Sequence, residues 1–179
     1  MVDKTYIPEG EVPPASQIGA TLEALGATIA ARREAGEGSY TYRLLTGSVD
    51  GVLKKVMEEA GEVALAAKDV EGWATSSLAA AVALDAAANG AGAGTGPVDA
   101  AGALADSDAL SVQLPPEYGE AVDHLRYEAA DVVYHLLVVL ERYGISLDEF
   151  AAELNNRMAD EERPAGAVRL HGEYVRRGK

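Results

Sequence analysis

Residues 52–69 read VLKKVMEEAGEVALAAKD and residues 128–140 read EAADVVYHLLVVL, and the way these two stretches coil decides the fold. In the first, Val49, Val52, Leu53, Val56, Met57, Ala60, Val63, Ala64 and Ala67 recur at helical spacing behind Ser48, a good N-cap. The second belongs to a helix running from about Tyr118 to Tyr143. There Val122, Leu125, Ala129, Val132, Val133, Leu136 and Leu140 share a face, and Gly144 supplies the stop. On a wheel of about 100° per residue the first stripe centres between Val56 and Ala60. Glu59 then lies roughly 90° to one side of that centre, and Glu62 about 60° further round. Glu128 and Asp131 fall at the same two offsets from the stripe of the second helix. Packed by those stripes, two i, i+3 acidic pairs converge at the rim of a helical core.

An acidic i, i+3 pair taken alone reads first as a solvated helix surface. Two pairs at matched offsets shift the balance towards a site, because four converging carboxylates repel one another unless a cation sits among them. Glu59, Glu62, Glu128 and Asp131 are therefore the candidate ligands, and an all-oxygen set favours Mg²⁺ or Mn²⁺ over zinc. Glu58 falls nearly opposite the apolar stripe and reads as a surface residue that at most supports the ligands from outside. Lys54 and Lys55 precede the acidic cluster by one turn. Lys55 shares an edge with Glu59, which fits either an i, i+4 ion pair or a contact to a substrate phosphate. Arg43 is open to the same two readings. His135 lies one turn beyond Asp131, placed to touch substrate or to be a packed, hydrogen-bonded histidine. His124 has a weaker claim. A di-iron bundle is excluded because neither helix carries Glu-x-x-His, and no P-loop, dinucleotide fingerprint or serine triad motif is present.

Further out, Ile18, Leu22, Leu25 and Ile29 predict a helix from Ser16 that ends before Gly36. The stretch GEGSYTYRLLTGS, residues 36–48, breaks that period and reads as an ordered connecting loop. ISLDEF at residues 145–150 opens a last helix, with Ser146 and Glu149 as a capping box, running to about Met158. Between Asp69 and Leu125 there is no Lys or Arg, and Ala and Gly dominate. This part reads as an insertion in which Trp73 to Ala88 can form an Ala-rich helix and the glycine run after Asn89 a linker. The expected organisation is an extended arm over 1–15, one all-α domain over 16–160 carrying the 71–117 insertion, and a basic tail over 161–179. Short connections make a helical bundle the expected architecture.

Composition bounds the function. The 179 residues carry 15 basic and 29 acidic side chains, a formal charge of -14, which argues against affinity for nucleic acid or an anionic membrane. A polyanionic substrate then needs a cation or a local basic cluster. The absence of cysteine removes disulfides, thiolate metal sites and a cysteine nucleophile. No stretch approaches the ~18 apolar residues of a membrane span, and the N-terminus lacks the pattern of an export signal. The expectation is a soluble, cytoplasmic protein.

SYTYRLL at residues 39–45, LKKVMEEAGEVALAAKD at 53–69 and EAADVVYHLLVVL at 128–140 together resemble the signature blocks of the phosphoribosyl-ATP pyrophosphohydrolase family, within the MazG-like all-α NTP pyrophosphatases. The EExxE and ExxD elements of that superfamily are here Glu58, Glu59, Glu62 and Glu128, Asp131. The resemblance implies a four-helix core of the MazG-like type, with the Ala/Gly-rich insertion between its second and third helices. It also implies Mg²⁺-dependent hydrolysis of phosphoribosyl-ATP to phosphoribosyl-AMP and diphosphate, the second step of histidine biosynthesis, by a stand-alone enzyme acting as a homodimer. In such an enzyme Glu59 or Glu62 serves as general base, while Arg43, Lys54, Lys55 and His135 contact the substrate. Two other readings stand beside it: a MazG-type NTP or dNTP pyrophosphohydrolase, and a non-catalytic helical dimerisation module. The insertion is the departure from relatives, which join the two acidic helices by a short turn.

Overall fold

The computed structural model describes residues 7–12, 17–89 and 114–175. Helices account for its regular structure, and the described residues contain no strand. In chain order these are α1 (Gln17–Ala31), a 3₁₀ turn (Arg32–Glu34), α2 (Tyr40–Thr46), α3 (Val49–Asn89), α4 (Pro116–Arg142) and α5 (Leu147–Asn155). The chain is all-α, as its periodicity predicts. It divides into two compact units: Met1–Leu53 with Tyr134–Lys179, and Lys54–Val133.

The first unit is built around Ile29, Leu44, Leu45, Val52, Leu137 and Val138, with Leu22, Leu25, Tyr134 and Leu147 packed against them. Ile18, expected on the α1 stripe, stays largely exposed. The stretch expected to be a loop contains α2 instead. Seven residues make a poor helix alone, so this one is held from outside. Ser39 caps its start by accepting from the Tyr42 N–H at 3.3 Å, and Leu44 and Leu45 anchor it in the core. At its far end the Arg142 guanidinium donates to the carbonyls of Leu44 (2.8 Å), Leu45 (3.0 Å) and Gly47 (2.7 Å), which the short helix leaves without helical partners. Gly47 is required here by a close approach, since a Cβ would sit 2.6 Å from the Arg43 carbonyl.

α4 ends as the sequence predicts. Gly144 takes φ +69°, and the Ile145 N–H reaches back to the Leu140 carbonyl at 2.9 Å, a Schellman closure. The capping box also forms, with Ser146 and Glu149 exchanging backbone-to-side-chain bonds of 3.1 Å each. Beyond α5 the basic tail folds back. Arg163 donates to the Asn155 and Met158 carbonyls and pairs with Asp160, while the Asn155 amide donates to the Val168 carbonyl.

The second unit holds most of α3 and the first two-thirds of α4. Two expectations change here. The helix expected to end near Lys68 runs on without a break to Asn89, absorbing the proposed Trp73 to Ala88 helix. The glycine run after Asn89 lies outside the described residues. The buried face of α3 also differs from the one that hydropathy selects. The buried line passes through Val52, Glu59, Ala66, Ala74 and Leu78, whereas Met57 and Leu65 are 76% and 68% exposed and Ala60 and Ala64 face outward. Small and flexible apolar residues tolerate either side of a helix, so the partner surface chose the face.

Candidate active site

That shift of face carries Glu59 from the rim into the interior of the second unit, where it is 5% exposed, and Glu128 on α4 is 7% exposed. Glu59, Glu128 and Asp131 each offer an oxygen within 4.8 Å of the others. Two carboxylate charges about 5 Å apart repel by ~3–4 kcal/mol at an effective dielectric of ~20. Three such pairs are a burden that a folded helix pair tolerates only with positive charge or protons close by.

Part of that relief is visible. The Lys55 ammonium lies 3.1 Å from Glu59 Oε1 and 3.3 Å from Glu58 Oε1. Its pKa is held above the ordinary lysine range, first by the hydrogen bond to Glu59, then, against the opposing effect of burial, by Glu58. On α4, His124 Nε2 lies 2.9 Å from Glu128 Oε1, again one helical turn before its carboxylate. Glu62, partly exposed, completes the set. Its pKa is raised, first by sharing a hydrogen bond with Glu59, then by desolvation and by the charge of Glu128. A carboxyl whose proton affinity is raised because two carboxylates face it marks a place where a divalent cation fits. Hard oxygen donors in this number suit such an ion.

The structure thus brings Glu59, Glu128 and Asp131 together, with Glu62 beside Glu59 and Glu128. Glu58 is exposed and paired with Lys55. Lys54 is exposed and makes no ion pair among the described residues. Arg43 and His135 belong to the first unit. Arg43 donates to the Glu37 carbonyl at 2.8 Å. His135 is buried, 3.0 Å from the Tyr40 hydroxyl and edge-on to the rings of Tyr40 and Tyr134. His124, given a weaker claim from the sequence, makes a contact to Glu128 that the spacing allows. The signal was present: a basic residue four positions before Glu128 repeats the Lys55–Glu59 spacing.

The family model described as phosphoribosyl-ATP pyrophosphohydrolase matches residues 22–158. Among curated proteins, the phosphoribosyl-ATP pyrophosphatase of Limosilactobacillus fermentum is 30% identical over 137 residues, covering 76% of this chain and 82% of that protein. That of Pyrobaculum islandicum is 32% identical over 120 residues, 67% of this chain and 74% of the other. The histidine biosynthesis bifunctional protein HisIE of Deinococcus radiodurans is 51% identical over 59 residues, a stretch covering 32% of this chain and 27% of that protein. No solved structure matches the chain. The match takes in every helix that contributes to the carboxylate cluster, and on that ground the chain belongs to the phosphoribosyl-ATP pyrophosphohydrolase family, within the MazG-like all-α superfamily.

Proposed function

We propose that this chain hydrolyses phosphoribosyl-ATP to phosphoribosyl-AMP and diphosphate, the second step of histidine biosynthesis, in the cytoplasm and with Mg²⁺ as cofactor. The observation that carries the reading is the convergence of Glu59, Glu128 and Asp131 within 4.8 Å in a member of this family.

Glu59, Glu128 and Asp131, with Glu62, would hold the ion. When bound, Mg²⁺ supplies positive charge that offsets the charge developing on the diphosphate leaving group and favours ionisation of a nearby water. The remaining work falls to the chain. Glu62, more accessible than Glu59 and Glu128 and with a raised proton affinity, accepts the proton as water attacks the α-phosphorus and the bond to the bridging oxygen breaks. Lys54, exposed on the turn before the cluster, and Lys55 offer ammonium groups to phosphate oxygens. Arg43 and His135 are given substrate contacts on the strength of their sequence blocks alone. Burial of Glu59 and Glu128 keeps their carboxylates from turning freely in water.

A homodimer fits the outward face of α3 in the second unit, where Met57, Ala60, Ala64 and Leu65 are exposed. A second copy covering that face removes apolar surface from water at ~25 cal/mol per Å².

The test is diphosphate release from phosphoribosyl-ATP against a panel of NTPs and dNTPs. Wild type should prefer phosphoribosyl-ATP, and Glu62→Gln should lose about 100-fold or more in kcat, the range of a lost general base. Equal activity in Glu62→Gln removes that residue from the mechanism, and preference for an NTP replaces the substrate.

A further inference from the structure

Glu128 is almost fully buried, and its Oε1 lies 2.9 Å from His124 Nε2, on a side chain that is itself 57% exposed. A glutamate has three side-chain torsions, the last of them broad, so a carboxylate without a fixed partner samples many orientations. On α4 the i, i+4 spacing sets the imidazole directly over Glu128. One oxygen is thereby held, and the remaining lone pairs keep a fixed direction.

The equivalent contact on α3 is of a different kind. Lys55 brings a full, compact charge to Glu59 and so competes with any cation for that carboxylate. His124 needs only a proton on Nε2 to donate, and the Nε2–H tautomer of a neutral imidazole supplies one, so an imidazole can orient a carboxylate without bringing a full charge to it. Outer partners of this kind usually change metal affinity by about 10–100-fold.

We propose that His124 is a positioning residue, which holds the Glu128 carboxylate in the orientation that a divalent cation requires. The inference rests on the reading of Glu128 as a cation ligand given above. Its test is calorimetric titration of Mn²⁺ into the substrate-free full chain, wild type, His124→Ala and His124→Gln. Melting in chelator and Mg²⁺-dependent diphosphate release are measured on the same proteins. His124→Ala should bind Mn²⁺ about 10-fold more weakly, and His124→Gln, whose amide N–H sits where Nε2 was, should stay within about 3-fold of wild type. All three should melt alike in chelator, and kcat at saturating Mg²⁺ should be unchanged while the Mg²⁺ requirement of His124→Ala rises. Wild-type affinity in His124→Ala, or His124→Gln as weak as His124→Ala, overturns the proposal. Hydrolysis by wild type with affinity unmoved in His124→Ala rejects His124 and keeps the functional reading. Affinity lowered in His124→Ala alone, in a chain that releases no diphosphate, does the reverse.

Discussion

Glu62 shows how much chemistry one carboxyl inherits from its neighbours. Glu59 and Glu128 raise its proton affinity in the folded chain, so between the ordinary carboxylate range and its own higher pKa the folded state binds more protons than the unfolded one. Stability of the metal-free protein is therefore expected to fall as pH rises through that window. Glu62→Gln removes the titration. Thermal melts in chelator should show the variant more stable than wild type at pH 7, with the gap closing as pH drops towards about 4.5. A constant gap across that range counts against the electrostatic account. Lys55 has the same sign in a different window. Its raised pKa contributes stability that is whole below the unfolded value and lost only in strong alkali, so it does not enter the neutral range. Glu59→Gln should reduce diphosphate release by about 100-fold or more, because the buried ligand cannot be replaced by solvent.

At the scale of elements, α2 is the case where local preference and outcome part. Glycines on both sides argue for a loop, and Tyr40–Thr46 is helical because three features hold it: the Ser39 hydroxyl cap, the burial of its own Leu44 and Leu45, and the Arg142 fork. Arg142→Ala leaves three carbonyls without their donor. Urea unfolding should show a loss of about 2–3 kcal/mol, as expected for partly buried bonds to a charged group. Arg142→Lys should recover little, since a single ammonium cannot span three carbonyls. A loss under ~0.5 kcal/mol means that water replaces the guanidinium and that α2 depends on its leucines alone. α5, by contrast, was legible in full at its start: the capping box needs only Ser146 and Glu149 three residues apart, a relation that the chain carries locally.

For the whole molecule, the proposed assembly and cofactor make two measurable claims. Wild type should sediment at twice the 18.6 kDa chain mass, and Met57→Glu with Leu65→Glu should sediment as a monomer. A monomeric wild type withdraws the dimer. Mg²⁺ at about 100 times its Kd should stabilise the fold by ~2.7 kcal/mol, read as a rise in Tm that Glu59→Gln abolishes. No described helix is long and apolar enough to cross a membrane. What the sequence by itself determined is set by spacing along one chain: helices from their period, the Gly144 stop, the Ser146 cap, and the phase relation that groups Glu59 and Glu62 on one helix and Glu128 and Asp131 on another. Only tertiary structure decided which side of α3 faces inward. Alanine, methionine and leucine gain modestly on either side, whereas a buried glutamate needs partners that other residues must bring. Lys55 and His124 supply part of this locally, one turn before each carboxylate, but the packing that brings Glu59 beside Glu128 and Asp131 is what buries this side of α3 and leaves Met57 and Leu65 outside.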